Sequence, residues 1–393
     1  MMKNLFAQKK SQYNEVIMKR YDVDYSKICD IENIKLAIKK ASKGKTRKHI
    51  VRKVLANIDY YSIQIQNLLI NKSYMPSPYI EKVIYEGSSR KERIIHKPQF
   101  YPDQIIHHCL MNILEPYISK RMYYYSCASI KGKGIHFGVK YIQKIYKENS
   151  SNKNKHKIKY CLKLDIRKFY PSIDTSILKY KFSRMVKNKD TLWLINTIID
   201  SHNKGLPIGN YTSQWFSNFY LTDLDMFILH NIKPYKYIRY ADDMVLLGGN
   251  KRKLHKALKQ IKIYLKEVDN LELKNNYQVF RLCNRPLDFL GYKYYPKVNT
   301  RYPKIRLITT IRGSIFLRIK RCLNRLGKKQ YLNHHNASSI ISYNGWIKYS
   351  NYVNFYNRYI NNKILKFKKL KEIIKHYVRL HRCNAYKQVC CRA

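Results

Sequence analysis

The chain has 393 residues, of which 78 are Lys or Arg and only 25 Asp or Glu, a formal charge of +53. That length allows two or three packed units, and that charge demands an anionic partner, nucleic acid before all others, because each phosphate contact releases counterions. No apolar run is long enough to span a bilayer and no short apolar core follows MMKNLFAQKK, so a membrane role and secretion are not expected and a cytoplasmic location is.

In chain order, residues 1–80 read as a basic helical region, with helical spacing from Ile34 to Ile70 broken near Lys43-Gly44-Lys45 and ended by Pro76 and Pro78. Tyr79 to Ile95 reads as strand with a turn at Glu86-Gly87-Ser88-Ser89, and Gln104 to Tyr117 as a helix stopped near Pro116. A Gly- and Lys-rich loop, SCASIKGKGIHFG, then a helix and a polar stretch lead to the clearest strand, Ile158 to Asp165, where apolar residues alternate with Lys and Cys. Tyr237 to Leu247 is two apolar runs around Asp242-Asp243, predicting a β-hairpin with the acids at its tip. Lys251 to Val268 is an amphipathic helix, Leu287 to Tyr295 a strand, and the chain beyond Ile311 helical and basic. The order predicts an α+β fold, helices packed on one face of an antiparallel sheet. The boundaries it suggests are 1–80, 81–157, 158–300 (with a helical insert near 178–203) and 301–393.

The nine cysteines form no CxxC pair and suggest free thiols in a reducing interior. His376, His381, Cys383, Cys390 and Cys391 cluster in the tail at no recognisable zinc spacing, so no zinc site is assigned.

Two short elements carry the chemistry. LKLDIRKFY places Asp165 at the end of a buried strand with Tyr170 five residues on, and YADD places Asp242 and Asp243 in a hairpin. Taken singly, a strand-end acid caps the next helix and paired acids fill a turn. Together they supply carboxylates from separate elements, as two-metal phosphoryl transfer requires, with cations about 4 Å apart. Acids flanked by apolar strand residues are otherwise costly.

These residues carry a family resemblance. YADDMVLL resembles the YxDD box of reverse transcriptases, LKLDIRKFYPSID their first palm motif, KGLPIGNYTSQ the LPxG region, FLGY the primer grip, RKERIIHKP and SCASIKGKGIH the finger motifs, and SYNGWIKYSN a thumb motif of bacterial enzymes. The resemblance implies a right-hand polymerase with an N-terminal extension before fingers at 81–157, a palm at 158–300 and a helical thumb with its tail at 301–393. It implies two Mg²⁺ ions, for which Mn²⁺ can substitute, held by Asp165, Asp242, the carbonyl of Ile166 and, as an accessory, Asp243. Tyr170 would be the steric gate against a 2′-hydroxyl, the alternative being a core aromatic like Phe169. Arg93 would bind the triphosphate, with Lys97, Lys131 and Lys133 as looser candidates. Ile208, Gly209 and Gln214 would line the nucleotide, and Phe289, Leu290, Gly291 and Tyr292 would form the primer grip. Asp174 reads as a helix cap, and Asp103, Asp223 and Asp225 as structural or solvated. For a general acid, Lys274 and Asn276 remain alternatives.

Many relatives have Gln where this chain has Ile208, and end the motif in Ser-Pro where it has Ser213-Gln214. IGNxTSQ resembles the enzymes of diversity-generating retroelements, bacterial or phage-encoded, which copy a template RNA with errors at adenines. An Ile in place of Gln removes a hydrogen bond worth about 1–3 kcal/mol, enough to narrow discrimination between right and wrong pairs. That subfamily implies template RNA, a DNA primer or cDNA and dNTPs as partners, together with a small basic helical accessory protein that oligomerises. Retron, group II intron-like and phage-defence reverse transcriptases, RNA-directed RNA polymerases and non-catalytic RNA-binding proteins are the alternatives.

Overall fold

The computed structural model describes residues 20–86, 91–149, 157–298, 305–329, 331–352, 355 and 369–379. The turn expected at residues 86–89 and the tail cysteines at 383, 390 and 391 lie largely outside this set. The chain divides into two compact units: Met1–Ser129 with Leu162–Leu246 and Arg252–Gln278, and Ile130–Cys161 with Leu247–Lys251 and Val279–Ala393.

The first unit opens with helices α1 (Tyr25–Cys29), α2 (Ile31–Ser42), α3 (His49–Ala56) and α4 (Ile58–Ile70). Asp30 starts α2 by accepting from the Asn33 amide at 3.1 Å. Ile34, Ala37, Ile38 and Ala41 then bury one stripe of that helix. The partner is α5 (Ile105–Arg121), which packs extensively against α2. Asn33 joins the two helices, its Nδ2 donating to the Cys109 carbonyl at 3.2 Å. The predicted stop at Pro116 does not occur, since α5 continues through it to Arg121. Pro removes one backbone bond, but Leu114 and Ile118 on either side are fully buried, and that packing holds the helix together.

Strands β1 (Ile80–Glu86) and β2 (Lys91–Lys97) pair antiparallel, with Ile84 opposite Arg93 and Ile80 opposite Lys97. β3 (Tyr160–Asp165) lies beside β5 (Asp243–Gly248), and β5 beside β4 (Lys236–Tyr240). β3 begins two residues later than the alternation suggests, because Ile158 is engaged by Asn149 instead. Helices α7 (Thr175–Ser183), α8 (Lys189–Asp200), α9 (Tyr211–Tyr220), α10 (Thr222–Phe227) and α11 (Lys251–Glu267) complete this part, with α6 (Ile135–Asn149) in the second unit. In α11 Leu254, Ala257, Leu258, Ile261, Tyr264 and Leu265 face inward, and the lysines between them are exposed. The fold class is α+β, as the element order predicts.

After the short strand β6 (Gln278–Arg281), the expected single strand from Leu287 in the second unit is a hairpin, β7 (Leu287–Phe289) and β8 (Tyr292–Val298), turning at Leu290 (φ 57°) and Gly291 (φ 78°). Two left-handed residues suit a two-residue hairpin turn, which a continuous apolar run conceals. β9 (Ile305–Ile311) pairs with β8, and α12 (Gly313–Gly327) and α13 (His334–Lys348) follow. Trp346 of α13 stacks on Tyr292 at 5.2 Å and accepts from its hydroxyl at 3.0 Å, so the SYNGWIKYSN segment braces the FLGY turn. His136 stacks on Tyr349 at 4.6 Å. Among the described residues no helix is long and apolar enough to cross a membrane.

Candidate active site

The carboxylates sit where two neighbouring strands meet their turns. Asp165 is the last residue of β3, and Asp242 and Asp243 close the β4–β5 hairpin, all within the first unit. Ala241, ahead of the acids, takes a left-handed φ of 53°. Burial first, and then Asp165 beside it, holds the Asp242 carboxyl well above the ordinary carboxylate range. Burial is also the main reason Asp243 is pushed up to about 7. Lys163 lies 3.5 Å from Asp243 Oδ2 and opposes that shift.

The segment after α11 runs alongside Asp165. The Arg167 amide donates to the Glu272 carbonyl at 2.8 Å, the Lys274 amide to the Asp165 carbonyl at 2.8 Å, and Ile166 bridges Leu273. This brings Lys274 Nζ to 2.5 Å from Asp165 Oδ2. Of the two alternatives in this segment it is therefore Lys274 that touches a site carboxylate. Asn276 is exposed.

Two carboxylate oxygens, Asp165 Oδ1 and Asp243 Oδ1, are buried without a hydrogen-bond partner. No group of three or more His, Cys, Asp or Glu that could hold a metal ion by itself is found among the described residues. The donor set nevertheless fits a hard divalent cation. It is all oxygen, crowded with like charge and short of donors, and Mg²⁺ takes only one or two carboxylates and fills its shell with water and phosphate.

Tyr170 follows at a sharp turn, where Lys168 is left-handed (φ 43°) and Phe169–Ser172 forms one helical turn. Burial holds its phenol above the ordinary value. Ser217 and Arg93 draw it down while Asp242 and Tyr240 push it up, so Arg93 and Asp242 both lie within electrostatic reach of this ring. The LPIG loop grips the same turn. The Leu206 amide donates to the Tyr170 carbonyl at 2.9 Å, and Gly205 (φ 59°) lies so close that a Cβ there would stand 2.4 Å from that oxygen. At Gly209 a Cβ would stand 2.6 Å from the His96 carbonyl, and the His96 amide donates to the Ile208 carbonyl at 2.8 Å. The β1–β2 hairpin carrying Arg93 and Lys97 is thereby tied to the loop carrying Ile208.

Arg93 is exposed, Ile208 half-buried, and Gln214 exposed on the first turn of α9. Lys131, Lys133 and Phe289–Tyr292 belong to the second unit, Lys133 lying 5.7 Å from the Phe137 ring. Asp174 caps α7, accepting from the Ser176 and Ile177 amides at 2.9 and 3.2 Å. Asp103 and Asp225 are buried, not solvated. Asp223 lies 3.5 Å from the buried Lys181. Sequence reasoning missed Lys163 as a partner of Asp243. Its place two residues before Asp165 in the same alternating strand, and so on the acid's own face, is the signal that could have found it.

A family model described as Reverse transcriptase (RNA-dependent DNA polymerase) matches residues 89–294. Among curated proteins, the Retron Ec73 reverse transcriptase of Escherichia coli is 30% identical over 151 residues, which cover 35% of this chain and 48% of that protein. The chain thus spans about half the length of this relative. Among solved structures, apo telomerase from Candida tropicalis, truncated from the C-terminal domain, aligns with a TM-score of 0.43 and 12% identity, covering 61% of this chain and 58% of that one.

Proposed function

The chain belongs to the reverse transcriptase (RNA-dependent DNA polymerase) family, and from that premise we propose that it extends a DNA primer by copying an RNA template. One observation carries the proposal: Asp165 and Asp242 converge at the ends of neighbouring strands, with Tyr170 in electrostatic reach of Asp242. On this reading residues 81–157 serve as fingers after a helical extension, 158–300 as palm and 301–393 as thumb and tail.

Asp165, Asp242, the carbonyl of Ile166 and, in a lesser role, Asp243 would hold two Mg²⁺ ions. When bound, these supply the positive charge that acidifies a primer 3′-hydroxyl and stabilises the leaving pyrophosphate. The chain's own groups do the rest. Tyr170, fixed by Gly205 and Leu206, lies under the sugar and excludes a 2′-hydroxyl. Arg93 meets the triphosphate with its planar fork, and Lys97, Lys131 and Lys133 add charge. Ile208, Gly209 and Gln214 face the base pair being formed. Lys274 and Lys163 keep the acidic cluster balanced. The FLGY turn, Phe289 to Tyr292, holds the primer end.

Within the family we assign the chain to the error-prone enzymes of diversity-generating retroelements. The support is IGNYTSQ, with an apolar Ile208 where an amide would otherwise help hold a correct pair. A small basic helical accessory protein belongs to the same assignment. A second reading, a retron enzyme, is favoured by the similarity to the Ec73 protein.

Primer extension on a defined RNA with Mg²⁺, comparing dNTPs with rNTPs and sequencing the product, tests these readings, with Asp242→Asn as control. DNA product that the control lacks is expected, with errors gathered at template adenines. Faithful DNA would move the chain to the retron reading, and preferential use of rNTPs would overturn the DNA polymerase reading itself. An Ile208→Gln variant with an unchanged error rate at adenines would remove Ile208 from the account.

A further inference from the structure

Arg239, the penultimate residue of β4, has no solvent exposure, and neither has its partner Asp225 on α10. The pair is two-pronged, Nε to Oδ1 at 2.8 Å and Nη2 to Oδ2 at 2.6 Å. Withdrawing two charges from water is repaid only if the remaining donors and lone pairs are used as well. Here they are. Tyr237 donates its hydroxyl to Asp225 Oδ1 at 2.8 Å. Arg239 Nη1 donates to Asn218 Oδ1 at 3.1 Å and to the carbonyl of Ala241 at 3.0 Å.

The last of these bonds matters most. Ala241 immediately precedes Asp242, and its left-handed φ of 53° is one that alanine avoids unless something holds it. The guanidinium, gripped from behind by Asp225 and Asn218, bonds to the carbonyl of this left-handed residue. The same residue fastens its surroundings through its backbone. Its amide donates to the Tyr125 carbonyl at 3.2 Å, and its carbonyl accepts from the Cys127 amide at 2.9 Å. Asn218 Nδ2 closes the circuit on the Ala128 carbonyl at 3.0 Å. A buried ion pair is poor evidence of stability for its own sake, because well-packed apolar residues do as well. Its placement on the turn points to another task.

We propose that Arg239, clamped by Asp225 and Asn218, is a positioning residue that fixes the Ala241 turn and so sets the direction from which the Asp242 carboxylate meets Asp165. The proposal rests on the reading of Asp165 and Asp242 as the metal-binding pair. It separates the role of a distant charge pair from that of the carboxylates.

Two variants of the full chain test it. Arg239→Lys keeps a charge for Asp225 but has a single nitrogen, which cannot also serve Asn218 and Ala241. The triple variant Arg239→Met, Asp225→Leu, Tyr237→Phe removes both charges and the hydroxyl that would be stranded, giving the core an apolar replacement. Thermal midpoint, primer-extension kcat and KM for dNTP, and Mn²⁺ affinity by electron paramagnetic resonance are measured on each. Both variants should still fold, with a midpoint lowered by a few degrees, since each leaves the Asn218 and Ala241 oxygens without this donor. Their kcat should fall about 100-fold with little change in KM, and Mn²⁺ should bind about tenfold more weakly or worse. A folded variant with parental kcat and Mn²⁺ affinity overturns the proposal. Loss of folding in both variants overturns it too, since Arg239 would then serve stability alone. If Asp242→Asn itself leaves Mn²⁺ binding and extension intact, it is the underlying reading of the site that fails.

Discussion

Asp243→Asn is expected to make the protein more stable and less active at once. Asp243 opens β5 with Oδ1 buried and unpartnered. Burial moves its carboxyl from 3.8 to about 7, against the pull of Lys163, and Asp165 and Asp242 add to the shift. A raised carboxyl gives its full contribution to stability below 3.8 and loses it as the pH rises through about 7. At pH 8 the ionised group therefore weighs against the fold by up to about 4 kcal/mol. Because the side chain is 30% exposed, solvent screening brings this to about 2 kcal/mol. Asparagine has the same shape without the charge and removes the burden, while Lys163, itself 24% exposed, can turn to water. Urea unfolding in EDTA at pH 5, 6, 7 and 8 measures the difference. The variant's advantage should be greatest at pH 8 and smaller by about 1 kcal/mol at pH 5. Adding Mg²⁺ should stabilise the parent more than the variant and narrow the gap. Primer extension by the variant should be slower. A variant no more stable than the parent at pH 8, or an advantage that ignores pH, would refute the electrostatic account of this site.

Gly205→Ala forces a Cβ to within 2.4 Å of the Tyr170 carbonyl at a φ of 59°, a strain of about 1–2 kcal/mol before the clash is relieved. The melting midpoint should drop, and the preference for dNTPs over rNTPs should weaken as Tyr170 shifts; unchanged sugar selectivity would separate this glycine from the gate. Gly345→Ala brings a Cβ to 2.9 Å from the His136 ring, so the stack of His136 on Tyr349 should loosen, seen as faster proteolysis of the second unit in the variant. Burial pushes the imidazole of His107 down to about 3. Its neutral form thus contributes stability that is complete above 6.5 and lost as the pH falls toward 3. His107→Leu should flatten the acid side of the stability profile by about 1.4 kcal/mol per pH unit below 6.5, and an equally steep profile in the variant would contradict this.

What was legible in the sequence was what repeats along the chain. Alternation in Ile158–Asp165 and the two apolar runs around Asp242 announce strands ending in acid, and the stripe of Leu254, Leu258, Ile261 and Leu265 announces a helix. The illegible part is made of pairs joined across sequence. Arg239 interrupts an apolar strand, and alternation assigns such a residue to solvent; nothing local says that Asp225, on a helix, faces it inside. Lys181 is hidden in the same way by Asp269, 2.7 Å away and far along the chain. Asp225, Asp269 and Asp103 are withdrawn into the core, and Asp165, Asp242 and Asp243 into the candidate site. The solvent face of α11 is left to Lys251, Arg252, Lys253, Lys256, Lys259, Lys262 and Lys266, all exposed. A positive face of this kind attracts phosphate without regard to sequence, whereas the buried acids hold their places by short, directed bonds. Exposed acids such as Glu32, Asp59 and Glu272 lie elsewhere on the surface, so it is on α11 and around the candidate site that lysines outside and fixed carboxylates within are set apart.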